Sequence, residues 1–72
     1  MQFNYVLLKQ KLIEQGLSLP ALAIRIGMKY STLKVKLDNQ SSFKASEIVA
    51  ICRVLEIPIQ TAWCYFFVEV DK

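Results

Sequence analysis

The sequence predicts an all-α fold, a compact bundle of five short helices in one domain that spans residues 1–72. Helix breakers at Gly16, Gly27, residues 38–42 and Pro58 divide the chain into five segments. Loops of about two to six residues between them match the connections of helical bundles. Hydrophobic residues make up 54% of the 72 positions. This composition excludes a disordered chain, and the length excludes a second core.

The first two segments have clear helix starts and stops. Asn4 can cap a first helix that carries Tyr5, Leu8 and Leu12 on one face, and Gly16 ends it. Ser18 caps a second helix, with Pro20 in its first turn, where a missing N–H costs nothing. Gly27 ends this helix.

The remaining three segments follow the same periodicity. Tyr30 to Leu37 forms a third helix held by Leu33 and Leu37, and Ala45 to Leu55 forms a fourth with inward residues at spacings of 3, 4 and 7. The segment from Ile59 to Phe66 forms a fifth, and residues 67–70 are β-prone and predict a short extended tail. The predicted core consists of Leu8, Leu12, Leu22, Ile26, Leu33, Ile48, Ile51, Cys52, Leu55, Ile59, Ala62 and Phe66.

The spacing of small and apolar residues in residues 19–37 is typical of a helix-turn-helix. Ala23 is small enough to let two helices touch, Gly27 tolerates a positive φ in the turn, and Leu33 anchors the second helix. The third helix would then present an outer face that reads bases, with flanking residues near phosphates or on a protein partner. The predicted contact residues are Leu19, Lys29, Tyr30, Ser31, Thr32, Lys34, Val35, Lys36 and Lys44.

Charge is divided unevenly along the chain. Residues 1–44 hold seven bases and two acids, a balance of +5, whereas residues 45–72 hold two bases and four acids, a balance of −2. The whole chain carries only +3, which is modest for a nucleic-acid binder. The basic half coincides with the predicted helix-turn-helix. We therefore favour a binding role for these charges over the alternative that they only keep the surface solvated.

Three stretches together resemble a known family: FNYVLLKQKLIEQG, SLPALAIRIGMKYSTLKVKLDN and FKASEIVAICRVLEIPIQTAWCYFF. The chain resembles the lambda-repressor-like, Cro/CI-type helix-turn-helix domains, and most of all the small Cro-like or modulator-of-repression proteins of temperate phages of Gram-positive hosts. The resemblance implies a role in the lytic/lysogenic switch with Tyr30 to Leu37 as recognition helix. The chain departs from the family pattern at two positions. Leu19 stands where members often have a Gln that binds a phosphate, and Lys36 stands where many have an apolar residue.

Two functions therefore stay open. In one, the protein is an antirepressor that binds its cognate CI-type repressor and has weak or assisted affinity for operator DNA. In the other, it is an autonomous Cro-like repressor that binds a palindromic operator as a dimer. The apolar residues left without an inward position favour a protein partner or a homodimer through residues 63–70, unless Trp63 and Phe67 pack on the first helix. These residues are Leu19, Ile24, Val35, Trp63, Tyr65, Phe67 and Val68.

Other classes of protein are not indicated. The chain has no His, no Gly-rich phosphate loop and no suitable carboxylate pair, so we expect no enzyme, and its two cysteines suit neither a metal nor a cofactor site. Cys52 is expected in the core and Cys64 half-buried. The longest uncharged stretch, residues 57–68, is too short for a membrane span of about 20 residues. Without a signal peptide, the host cytoplasm is the expected location.

Overall fold

Five α-helices and one 3-10 helix form the part of the chain that the computed structural model describes, residues 2–69. The elements are α1 (Val6–Glu14), α2 (Leu19–Arg25), α3 (Tyr30–Leu37), α4 (Ala45–Leu55), the 3-10 helix η1 (Ile59–Thr61) and α5 (Ala62–Phe66). The predicted all-α, five-helix class is confirmed. No single helix within these residues is long and apolar enough to cross a membrane. The segments α4 and Ile59–Phe66 reach the required length and apolarity only when taken together, and the chain bends by 118° between them.

Ser18 is the N-cap residue of α2 as predicted, whereas the N-cap position of α1 is Tyr5, one residue after the predicted Asn4. The Asn4 side chain accepts a hydrogen bond from the Val6 amide at 2.9 Å, and the Ser18 hydroxyl accepts one from the Ala21 amide at 3.2 Å. Each bond satisfies an amide that has no partner within its helix. Gly16 and Gly27 follow α1 and α2 with φ of +64° and +69°, a conformation that glycine adopts without steric cost.

One core unites the helices. The α2 helix packs against α3 and α4, and α5 packs against α1 and α4. The side chains with essentially no exposed surface are Leu8, Leu22, Leu33, Ile51, Leu55 and Phe66. Ile48, Cys52 and Ala62 are also buried as predicted, and burial raises the pKa of the Cys52 thiol. Cys64 is half-buried, and both cysteines are free thiols.

Two predicted core positions need correction. Ile26 is only half-buried, although it packs on the core. Ile59 is 54% exposed, because Ile57, which is 5% exposed, already fills the inward position before Pro58. Proline then turns the chain out into the short η1 helix, so Ile59 begins on the surface. The sequence prediction of one continuous fifth helix was therefore wrong in its first turn.

The N-terminal segment is held on both sides. The Asn39 side chain accepts a hydrogen bond from the Phe3 amide at 2.7 Å and donates one to the Phe3 carbonyl at 2.9 Å. On the other side the Asn4 amide donates to the Val68 carbonyl at 2.6 Å, and Phe3 forms an antiparallel bridge with Glu69. Of the β-prone tail, Glu69 lies in this bridge, whereas Phe67 ends α5 with ψ of 17° and is not extended. Its last predicted residue, Val70, lies outside the described part.

Candidate recognition surface

The turn at residues 26–29 joins α2 to α3. The Met28 amide donates to the Ala23 carbonyl at 2.9 Å, which closes the turn around Gly27. Ala23 is 2% exposed and Leu33 is fully buried. Ala23 and Leu33 are therefore buried, and Gly27 has the positive φ that the sequence predicts for the turn.

The outer face of α3 is open. Ser31, Thr32 and Lys34 are exposed, Tyr30 is 43% exposed and Val35 is 38% exposed. Lys29 is the N-cap residue and is also exposed, and no side chain caps the first-turn amides of α3. These amides are therefore free to bind an anionic group. The structure places together the six predicted contact residues from Lys29 to Val35, apart from the buried anchor Leu33.

Lys36 is the clear correction to the predicted contact residues. It is 6% exposed, and its Nζ donates to Glu47 Oε1 of α4 at 2.6 Å. The reason is helical register, since Lys36 follows Leu33 by three residues and precedes Leu37, and all three lie on the buried side. Lys36 therefore neither reaches a phosphate nor contributes charge to the surface.

Glu47 is a structural residue that sequence reasoning missed. It lies at the third position of α4, and its Oε1 also accepts the Lys44 amide at 2.7 Å. Partial burial opposes ionisation of the carboxyl group, but the hydrogen bonds from Lys36 and the Lys44 amide, together with both positive charges, lower the pKa of Glu47. The available signal was an acid three residues after the N-cap of the most amphipathic helix.

The remaining predicted residues behave differently from one another. Lys44 is exposed at the start of α4, as expected. Leu19, predicted to lack an inward position, is half-buried and packs on the core, and so does Tyr65. Ile24 on α2 is 80% exposed, the most exposed large apolar residue described. Arg25 beside it is exposed as well and was not singled out by the sequence.

The surface formed by the exposed residues of α2 and α3 is therefore mixed in chemistry. Within Tyr30–Leu37, all of which the structure describes, Lys34 is the one exposed cation. The exposed side chains of Ile24, Tyr30 and Val35 add apolar area between the charged ones. We call this surface the α2–α3 surface. It consists of the exposed residues Ile24, Arg25, Lys29, Tyr30, Ser31, Thr32, Lys34 and Val35.

Fold and surface together define a small all-α protein with an exposed short helix after a tight glycine turn. The chain matches, over residues 1–69, the family described as "Protein of unknown function (DUF739)", and it belongs to this family. No curated protein matches it.

Proposed function

We propose that the chain is a regulator of a phage lysis/lysogeny switch, of the Cro or modulator-of-repression type, and that it acts as an antirepressor in the host cytoplasm. In this role the α2–α3 surface binds the DNA-reading face of the cognate CI-type repressor. The setting is what the sequence resemblance implies. The observation that carries the choice of partner is the withdrawal of Lys36 into its ion pair with Glu47.

Charge supports a protein partner over autonomous DNA binding. With Lys36 buried, the cations on or near the α2–α3 surface are Arg25, Lys29, Lys34 and Lys44. Four phosphate contacts would give a salt slope of about −3 to −4, so affinity that depends on them falls steeply toward physiological salt. A single copy would therefore bind operator DNA weakly and would need assistance.

The exposed apolar residues can contribute a hydrophobic free energy of binding, which a protein partner exploits better than DNA does. Burying a large aliphatic or aromatic side chain contributes about 1.5 to 3 kcal/mol. Ile24, Tyr30 and Val35 are available for this on a protein surface. A partner surface on which apolar side chains lie among polar ones therefore fits the α2–α3 surface.

The second candidate, an autonomous Cro-like repressor, is favoured by a different observation. Lys34 and Ser31 are exposed on α3, and the first-turn amides of this helix are uncapped. This arrangement suits base and phosphate contacts in a major groove. Both activities use the same surface, so they would compete.

The test compares variants against two ligands, the repressor encoded beside this gene and its operator DNA, by titration at several salt concentrations. Combining Ile24→Ser with Val35→Ser should weaken repressor binding at least tenfold, because both changes remove apolar contact area. Ile13→Ser is the matched control, since Ile13 is 78% exposed but lies on α1. Lys36→Met should leave both affinities nearly unchanged.

Two results would contradict the antirepressor proposal. One is independent behaviour of the two proteins at micromolar concentration. The other is tight operator binding by the protein alone that Lys34→Ala abolishes and the apolar double variant leaves intact. The second result would establish the Cro-like alternative instead.

A further inference from the structure

A cavity lies where the N-terminal segment, the loop between α3 and α4 and the end of α5 meet. Its volume is about 210 Å³. An apolar cavity of about 150 Å³ is large enough to hold a benzene ring. The cavity therefore has room for a molecule of one aromatic ring or of two small fused rings.

Aromatic side chains form most of the apolar wall of this cavity. Tyr5 and Phe43 pack edge to face with ring centroids 5.7 Å apart, and Phe43 and Phe66 do the same at 5.3 Å. Phe3 and Phe67 form a second edge-to-face pair, at 5.8 Å. A further ring placed among these rings gains from its faces and edges in addition to the area that it buries. The wall therefore favours an aromatic occupant over an aliphatic one of equal size.

The lining of the cavity carries no charge. Its one ionisable group is the hydroxyl of Tyr5, which stays neutral because burial raises its pKa above the ordinary value of 10.0. A charged ligand would lose part of its hydration here without gaining an opposite charge, so the lining selects an uncharged ligand. The other polar groups are amides and hydroxyls of the loop that follows α3, namely Asn39, Gln40, Ser41 and Ser42.

The hydroxyl of Tyr5 is available for a hydrogen bond. Tyr5 is only 6% exposed, and its hydroxyl takes part in no hydrogen bond among residues 2–69. Within this part of the chain, every side-chain N or O atom that is sealed from solvent has a partner, so the Tyr5 hydroxyl is not sealed. Since Tyr5 lines the cavity, a molecule bound there can supply the missing partner.

We propose that this cavity binds a small uncharged aromatic molecule of the phenol or indole class, whose hydroxyl or ring N–H forms a hydrogen bond with the Tyr5 hydroxyl. Such a molecule contacts the N-terminal segment, the loop after α3 and α5 at once. Its binding therefore stabilises the folded chain as the ligand concentration rises. No residue of the α2–α3 surface lines the cavity, so the site does not depend on what that surface binds.

A titration of isotope-labelled protein with phenol, followed by amide chemical shifts, tests the proposal. We expect saturable shifts of the amides of Phe3, Ser42 and Phe67, with a dissociation constant of about 0.1–1 mM. Benzoate has the same ring and a negative charge, and it should bind at least tenfold more weakly. Cyclohexanol keeps the hydroxyl without the aromatic ring and should also bind more weakly than phenol.

Two variants separate the hydrogen bond from the apolar contact. Tyr5→Phe keeps the ring, and it should weaken phenol binding about threefold to tenfold, the usual contribution of one hydrogen bond. It should leave the affinity for toluene, which forms no such bond, unchanged. Tyr30→Phe is the matched control, because Tyr30 is 43% exposed on α3 and lies outside the cavity. Circular dichroism checks that both variants retain their helices.

Four results would overturn the proposal. The first is the absence of saturable shifts up to the solubility limit of phenol. The second is saturable binding whose largest shifts lie outside the cavity, or binding of benzoate as tight as that of phenol. The third is an equal effect of Tyr5→Phe and Tyr30→Phe on phenol affinity.

The fourth is a shift of the cavity amides that the repressor causes and phenol does not, which would make the occupant a side chain of the partner protein. Repressor binding through Ile24 and Val35 should be the same in Tyr5→Phe as in the parent. The ligand proposal and the antirepressor proposal therefore fail separately.

Discussion

At the scale of single residues, the backbone adopts the left-handed conformation both where the sequence provides glycine and where it does not. Gly27 and Glu56 follow helices with φ of +69° and +57°. The conformation suits glycine, whereas a Cβ atom at Glu56 adds steric strain of about 1 kcal/mol. The two residues therefore lie in the same kind of helix end with opposite consequences for stability.

We predict opposite effects from exchanging the residue types at these two positions. Gly27→Ala should lower the free energy of unfolding by about 1 kcal/mol, and Glu56→Gly should raise it by up to about 1 kcal/mol. A Cβ added at Gly27 meets no atom within 4 Å, so the effect there comes from the backbone alone. Urea unfolding of both variants measures this. Equal signs for the two changes would contradict the assignment to backbone strain.

At the scale of secondary-structure elements, α3 and α4 are connected by the ion pair of Lys36 and Glu47. The carboxylate accepts hydrogen bonds from the ammonium group of Lys36 on α3 and from the amide of Lys44, the N-cap residue of α4. Removing one partner of a buried pair leaves the other charge uncompensated, which costs more than the pair itself contributes. Glu47 therefore stabilises the start of α4 and the burial of Lys36 at once.

This pair predicts a defined pH dependence. The pKa of Glu47 is lowered in the folded state from its ordinary value of 4.5, so its contribution is present above that value and is lost as the pH falls through the folded-state pKa. Glu47→Gln should reduce the free energy of unfolding by about 1–3 kcal/mol at neutral pH. It should also make the loss of stability between neutral and acidic pH smaller than in the parent.

Glu14→Gln is the control for this experiment, because Glu14 is exposed on α1. Urea unfolding from pH 7 down to pH 3 measures both variants against the parent. If Glu14→Gln and Glu47→Gln changed the profile equally, the local ion pair would not be its cause.

The success of the sequence analysis also differs from element to element. The bounds of α3 and α4 agree with the prediction, because breakers delimit both segments and α4 also carries a clear apolar stripe. Lys36 was misassigned, since a lysine among lysines suggests a phosphate contact and its acidic partner lies eleven residues away on another helix. The same limit applies to Ile59: local periodicity did not reveal that Ile57 already fills the core.

At the scale of the whole molecule, the exposed apolar residues fall on separate surfaces. Ile24, Tyr30 and Val35 lie on α2 and α3, whereas Ile59, Trp63 and Phe67 lie along the C-terminal segment. The sequence predicted that most of these residues lack inward positions. Their division between two surfaces depends on how the helices are arranged in space, which periodicity within single helices does not specify.

The hydrogen bonds of Asn39 join distant parts of the chain and can be tested by a pair of substitutions. Asn39 has φ of +64° and binds both backbone groups of Phe3. Asn39→Gly removes only these bonds and should cost about 1–2 kcal/mol, whereas Asn39→Ala adds the left-handed strain and should cost about 1 kcal/mol more. Thermal or urea unfolding measures both. An alanine variant as stable as the glycine variant would contradict this division of the cost.

The pairing of Phe3 with Glu69 also has a kinetic consequence. It closes a loop of nearly the whole chain, so its entropic cost of closure exceeds that of the neighbouring contacts between α2 and α3. We expect such a contact to form after the rate-limiting step of folding, so its loss should appear mainly in the unfolding rate. Asn39→Gly removes the two hydrogen bonds that hold Phe3 on its other side. It should therefore raise the unfolding rate and leave the refolding rate close to that of the parent. In this variant we expect the amide protons of Phe3 and Asn4 to be among the first to exchange with solvent.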